Sequence, residues 1–158
     1  MARVGRHMYG TILLATDGSD DAAAALDHAI EIARSTGATL HAISVVETRT
    51  AYDNAIIDPE EVRENLRADA GDAVERAQAA ATEAGVECHT TVAEGPPPER
   101  ILEAIDEVGA DAVIVGATGR SGFKRLVLGG TAEHLLDAAS VPVIVIGGTL
   151  PHSGDTSG

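Results

Sequence analysis

Residues 112–131 read AVIVGATGRSGFKRLVLGGT, and this stretch carries the arrangement on which the fold prediction depends. Its first four residues form a continuous apolar run, which is typical of a strand buried on both faces. A glycine-rich loop over residues 116–128 follows. Apolar residues then recur at Ala132, Leu135, Leu136 and Ala139, and their spacing predicts a helix. A buried strand that leads through a glycine-rich loop into a helix is a building unit of parallel α/β sheets.

The rest of the chain repeats this alternation of short apolar runs and longer amphipathic stretches. Asp20 is the expected N-cap of the first helix and Gly37 its end, while the third helix is expected from Pro98 to Gly109. The alternation predicts one open five-stranded parallel sheet with right-handed crossovers and helices on both faces. The third strand alternates apolar and polar residues, which favours an edge position. The five predicted strands cover residues 11–16, 39–46, 86–93, 112–115 and 143–146.

Length and composition favour a single acidic domain. The chain has 158 residues, and we expect an N-terminal extension over 1–7, one domain over 8–147 and a flexible C-terminal tail over 148–158. Its 25 acidic and 11 basic residues give a net charge of −14, which argues against nucleic acid and anionic membranes as partners. Because Lys124 is the only lysine, we interpret the surface as an adaptation to a salty cytoplasm. An ordinary acidic protein is the alternative.

Cysteine and histidine usage predicts neither a disulfide nor a metal site. Cys88 is the only cysteine and is expected to be a small core residue, and the six histidines are scattered along the chain. No apolar run approaches the length of a membrane span and no signal-peptide core is recognisable, so we expect a cytoplasmic protein. No residue pattern predicts a catalytic nucleophile or general base.

The carboxyl ends of the strands are the expected ligand edge, because open parallel sheets bind ligands there. Gly116 and Gly119 directly follow a buried strand, and Gly129 and Gly130 precede the last helix, so backbone N–H groups at both places can face a phosphate. The alternative is that these glycines only permit turns and tight packing. The Walker and dinucleotide-binding patterns are both absent.

Charged residues near this edge each have two interpretations. Asp17 can contact a nucleoside or a phosphate-bound Mg²⁺, or it can simply form an Asp-Gly-Ser turn. Arg120, Lys124 and Arg125 can draw phosphate toward the loop or pair with surface carboxylates.

Three ordered motifs give a more specific indication. Residues 12–19 (ILLATDGS), the pattern Gly116-x-x-Gly119-x9-Gly129 and residues 141–145 (VPVIV) together resemble the universal stress protein family. The resemblance implies the adenine nucleotide alpha hydrolase-like fold with strand order 3-2-1-4-5. It also implies a homodimer formed through the last strand, by Val143, Ile144, Val145 and Ile146. In one subgroup of the family it further implies binding of ATP, with or without Mg²⁺.

Family members that bind ATP hold it at positions that can be matched in this chain. Adenine and ribose would contact Ala15, Thr16, Asp17 and Val45. The matching positions for the phosphates are Val115, Gly116, Thr118, Gly119, Gly129, Gly130, Thr131 and Ala132. Arg120 is added to this candidate site because of its charge and not because of the resemblance.

One departure from the family pattern affects the phosphate site. Gly130 stands where ATP-binding members have Ser or Thr, and Ala132 replaces a second hydroxyl. A lost hydroxyl removes about 1–3 kcal/mol of hydrogen bonding to a charged acceptor, which Thr131 can replace. We therefore expect an ATP-binding homodimeric regulator of the stress response, with slow ATP hydrolysis at most. The alternatives are a dimeric scaffold that binds no nucleotide, or a site for another phosphorylated metabolite or cyclic nucleotide.

Overall fold

The computed structural model describes residues 9–47, 59–117 and 130–147, and within them the chain forms five strands and four helices. All the strand pairs are parallel, in the order β3-β2-β1-β4-β5, which confirms the predicted fold. The strands are β1 Thr11–Ala15, β2 Thr39–Val46, β3 Cys88–Glu94, β4 Ala112–Gly116 and β5 Val143–Ile146. The helices are α1 Asp20–Thr36, α2 Pro59–Glu83, α3 Pro97–Val108 and α4 Gly130–Ala138. The predicted terminal extension and tail lie outside the described residues.

Helices cover both faces of the sheet, and the alternation of side chains along β1 shows how the core is divided. Ile12 and Leu14 pack with α1 and α2 on one face, while Leu13 and Ala15 pack with α3 and α4 on the other. Both layers are built almost entirely from Ala, Val, Ile and Leu. None of the described helices is long and apolar enough to cross a membrane.

Two helix starts differ from the sequence prediction. The N-cap of α1 is Ser19, whose hydroxyl accepts a hydrogen bond from the Ala22 N–H at 3.2 Å, so the prediction of Asp20 was wrong by one residue. Asp20 lies instead in the first turn, where its charge favours the positive end of the helix dipole. Helix α3 begins at Pro97 rather than at Pro98.

The predicted helix ends at Gly37 and Gly109 are confirmed. Both residues adopt the left-handed conformation, and each donates its N–H to a carbonyl of the last helical turn.

Strands β3 and β5 form the two edges of the sheet, so the edge position predicted for β3 is confirmed. Cys88, at the start of β3, is buried in the layer under α1 and α2, as expected for a small core residue. Burial raises the pKa of its thiol, because the charged thiolate loses hydration.

Backbone hydrogen bonds align the carboxyl ends of the strands. The Thr16 N–H donates to the Ile43 carbonyl at 2.9 Å, and the Ala117 N–H donates to the Ile146 carbonyl at 2.8 Å. On the other side of β2, the Gly95 N–H donates to the Val46 carbonyl at 2.9 Å. These bonds continue the pairing beyond the strands, so the loops after β1, β3 and β4 leave the sheet at one edge.

Candidate functional site

A cavity of about 460 Å³ opens at the carboxyl edge of the sheet. Its floor is formed by the ends of β1, β2 and β4, and its walls come from all four helices. The volume lies in the range of small-molecule sites, which are concave and largely apolar with a few polar groups. This edge is where the parallel topology predicts a ligand.

The cavity brings together nine of the thirteen residues that the sequence singled out. Four of the thirteen, Thr118, Gly119, Arg120 and Gly129, lie outside the described residues, as do Lys124 and Arg125. The nine that line the cavity are Ala15, Thr16, Asp17, Val45, Val115, Gly116, Gly130, Thr131 and Ala132.

Asp17 has a structural role in the turn after β1 and also lines the cavity. Its Oδ1 accepts a hydrogen bond from the Ser19 N–H at 2.9 Å, and Gly18 takes a φ of 80° that suits glycine. Thr16 Oγ1 accepts from the Gly18 N–H at 3.3 Å. The turn therefore orients both polar side chains at the edge of the cavity, and the two interpretations of Asp17 are compatible.

Gly116 and Gly130 line the same cavity for different reasons. A Cβ atom on Gly116 would lie 3.0 Å from the carbonyl carbon and the Cβ of Asp21, so glycine is required there for close packing of α1 on β4. At Gly130, the first residue of α4, a Cβ atom would have no neighbour within 4 Å among the residues that the structure describes. The packing interpretation therefore holds for Gly116, whereas nothing in the described packing requires a glycine at 130.

Sequence reasoning missed much of the apolar wall. Leu66 and Ala70 of α2 and Ile101 of α3 line the cavity, as do Ile43 and the buried Ser44 of β2. The β2 residues could have been found, because they precede or flank Val45 at the end of a predicted strand. The α2 and α3 residues could not, since their place depends on how each helix packs across the sheet. The remaining lining residues are Ala22, Val46, Glu47, Pro97 and Ala117.

An ion-pair cluster joins α2 to the end of β3 beside this cavity. Arg63 Nη2 lies 2.9 Å from Glu94 Oε1, and Arg67 pairs with the other carboxylate oxygen of Glu94. Glu60 Oε2 lies 3.6 Å from Arg63 Nη1. Glu94 is paired in register with Val46, which lines the cavity.

Metal-binding potential is limited in the part of the chain that the structure describes. No group of three or more His, Cys, Asp or Glu side chains there is arranged to hold a metal ion. Asp17 and Glu47 both line the cavity, and their carboxylates are the cavity's acidic side chains among the described residues.

Comparison with known proteins agrees with this geometry. A sequence model of the universal stress protein family matches residues 8–147. The chain belongs to the universal stress protein family. It is 35% identical over 145 residues to a universal stress protein of Methanocaldococcus jannaschii, covering 91% of this chain and 85% of that protein.

Solved universal stress proteins share the architecture. The UspA protein of Lactobacillus plantarum is 29% identical to this chain and superposes with a TM-score of 0.75. The match covers 87% of this chain and 97% of the UspA chain. A universal stress protein solved in complex with cAMP is 25% identical, with a TM-score of 0.63 over 88% of this chain and 98% of its own. The fold is therefore the adenine nucleotide alpha hydrolase-like fold that the family resemblance implied.

Proposed function

We propose that this universal stress protein binds ATP or another adenine nucleotide in the cavity at the carboxyl edge and acts as a homodimeric regulator of the stress response. The observation that carries the proposal is the convergence of nine sequence-predicted ligand residues on one cavity of about 460 Å³. Nucleotide occupancy would shift the population between conformations with different partner affinities.

The chemistry of the cavity fits the two ends of a nucleotide. Ile43, Val45, Leu66 and Ile101 present apolar surface suited to the faces of a purine. At the other end, Gly130, Thr131 and Ala132 form the first turn of α4, where N–H groups without helical partners and the helix dipole favour phosphate.

Mg²⁺ would enter this site together with the phosphates. Mg²⁺ usually keeps several waters and is held by one or two carboxylates plus substrate phosphates. Asp17 and Glu47 would supply such a carboxylate. When bound, the ion would neutralise phosphate charge in a protein whose net charge is −14.

The related universal stress protein solved with cAMP supports an adenine nucleotide as the ligand class. It also keeps a cyclic nucleotide as a second candidate for the same cavity. ATP is our first choice, because nine of the positions that the family resemblance assigns to ATP binding line this cavity.

Nucleotide released from the purified protein would test the proposal. The protein would be purified in molar KCl and denatured, and the supernatant analysed by mass spectrometry. ATP with Mg²⁺, cAMP and GTP would then be titrated by calorimetry. We expect co-purified adenine nucleotide, or ATP binding with a micromolar Kd and much weaker GTP binding. The absence of both signals in a folded dimer would favour the scaffold alternative.

The dimer, the cytoplasmic setting and the adaptation to salt belong to the same proposal. Strand β5 supports the dimer, since its four apolar residues are only partly buried at an edge of the sheet. The charge of −14 supports a high-salt medium, in which repulsion between acidic side chains is screened.

A further inference from the structure

Glu94 joins two structural elements that border the nucleotide cavity. It is the last residue of β3, and each of its carboxylate oxygens pairs with a different arginine of α2, Arg63 or Arg67. Because the two arginines are four residues apart, they lie on one face of the helix. The carboxylate therefore holds about one turn of α2 against the end of the sheet.

We call the ion pairs of Glu94 with Arg63 and Arg67 the clamp. The turn of α2 that the clamp holds also forms part of the cavity wall. Leu66 and Ala70 each follow a clamped arginine by three residues, and both line the cavity. A helix is stiff over one turn, since its backbone hydrogen bonds link each residue to the fourth one along. The distance between the sheet and these two wall residues is therefore coupled to the ion pairs with Glu94.

Partial burial strengthens the Arg63–Glu94 half of this cluster, whereas the Arg67 side chain is 53% exposed and contributes less. The side chains of Arg63 and Glu94 are 32% and 27% exposed. Arg63 Nε is buried and has no hydrogen-bond partner among the described residues. Without the carboxylate, the partly dehydrated guanidinium of Arg63 would keep only Glu60, at 3.6 Å, as an ionic partner, and outward movement of α2 would let water hydrate it.

We propose that Glu94 is a positioning residue for the nucleotide cavity. Through Arg63 and Arg67 it holds α2 at the distance from the sheet at which Leu66 and Ala70 contact the ligand. This inference rests on the proposed nucleotide-binding function, and it assigns the control of affinity to three residues that need not touch the nucleotide.

The Glu94→Gln substitution separates this role from simple electrostatics. Electrostatics alone predicts tighter binding, because removing a negative charge beside the cavity reduces the Coulomb repulsion of anionic ATP. Loss of the clamp should weaken binding instead, by about three- to tenfold for an ion-pair network of this exposure. The two effects have opposite signs, so the direction of the change in Kd distinguishes them.

Glu103→Gln is a matched control. Glu103 pairs with Arg100 at 3.1 Å within α3, and Arg100 is also 32% exposed with a buried Nε that lacks a partner among the described residues. This control removes the same charge from a similar pair that does not reach α2. We expect its Kd for ATP to equal that of the wild type, or to fall slightly.

Calorimetric titration of ATP with Mg²⁺ would be run at 0.2 M and 2 M KCl for the wild type and both variants, and for Glu94→Asp. We expect Glu94→Gln to bind ATP more weakly than the wild type at 0.2 M KCl. This difference in Kd should shrink at 2 M KCl, because salt screens the ion pairs. Glu94→Asp should restore part of the affinity. Unchanged or tighter binding by Glu94→Gln would overturn the inference and leave the proposed function standing.

Hydrogen exchange of the ligand-free protein distinguishes a failure of the positioning role of Glu94 from a failure of the proposed nucleotide binding. We expect faster amide exchange over residues 60–70 in Glu94→Gln than in Glu103→Gln. If the wild type bound no adenine nucleotide, the proposed function would be wrong, and so would the weaker ATP binding expected of Glu94→Gln. Equal exchange in the two variants would then show that the clamp itself is absent.

Discussion

Helix α1 approaches β4 so closely that a Cβ atom on Gly116 would lie 3.0 Å from the backbone carbonyl carbon of Asp21. The contact is with backbone rather than with the end of a flexible side chain, so relief would require α1 or β4 to move. Ala22, the residue after Asp21, lines the cavity together with Gly116. The same close approach therefore shapes the core and the candidate ligand site.

Gly116→Ala should destabilise the protein by about 1–3 kcal/mol, because the added methyl group overpacks the contact between α1 and β4. Gly71→Ala is the control: Gly71 lies inside α2, and a Cβ atom there meets no heavy atom of another described element within 4 Å. That substitution should stabilise the protein by about 0.5–1 kcal/mol through helix propensity. Urea unfolding would measure both, and equal stabilities for the two variants would contradict the packing role of Gly116.

Gly130→Ser should tighten ATP binding about tenfold, since a hydroxyl at the start of α4 adds a hydrogen bond to phosphate. No described residue lies within 4 Å of a Cβ atom at this position. Gly130→Ala, which supplies the Cβ atom without the hydroxyl, separates the hydrogen bond from the effect on the helix. Calorimetry would measure both, and equal affinities would argue against a phosphate at this position.

Val145→Lys on β5 should convert the proposed dimer to a monomer, because it places a charge on the partly buried apolar edge. Val92→Lys places the same charge on β3, the opposite edge strand, where Val92 is 38% exposed, whereas Val145 also packs against the core under α3 and α4. We expect this variant to remain dimeric. Sedimentation equilibrium in molar KCl would measure both masses, with circular dichroism to verify folding. A monomeric wild type would exclude the proposed interface.

Acidification should lower the melting temperature in part through His41. Burial, with a smaller contribution from nearby His89, lowers the pKa of His41 below its ordinary value of 6.5. Between the lowered pKa and 6.5 the unfolded chain binds more protons than the folded one, so stability rises with pH through this window and falls on acidification. His41→Gln should reduce this slope in thermal melts from pH 7.5 to pH 5.

His134→Gln is the control for that measurement, since His134 is exposed on α4. Its slope should match that of the wild type. If His41→Gln also kept the full slope, the lowered pKa of His41 would not contribute to acid sensitivity.

Potassium chloride should stabilise the protein. The excess of acidic side chains gives a net charge of −14, and these side chains repel one another at low ionic strength. We expect the melting temperature to rise by about 2–8 °C between 0.1 M and 2 M KCl, equivalent to about 1–2 kcal/mol. The rise should shrink at pH 5, close to the calculated isoelectric point of 4.6, where most of the net charge is lost. A melting temperature independent of salt would contradict the proposed adaptation.

Local patterns in the sequence determined most of the fold. The apolar runs and their alternation with amphipathic stretches were sufficient to predict five parallel strands, because burial on both faces and helical periodicity are properties of neighbouring residues. Gly37 and Gly109 marked helix ends for the same reason, since a left-handed residue is a local requirement. The cap of α1 was misplaced by one residue, because Ser19 and Asp20 are both good caps and only the backbone path selects between them.

Tertiary structure alone decided which distant residues meet at the site. Leu66 and Ala70 occupy one face of a helix whose sequence does not reveal that this face covers the end of β2. Arg67 pairs with Glu94, twenty-seven residues away, and Gly116 is explained by the backbone of Asp21 on another element. A sequence pattern indicates the periodicity of helices and strands and the positions of turns. A cavity and an ion-pair clamp depend instead on how whole elements pack against each other.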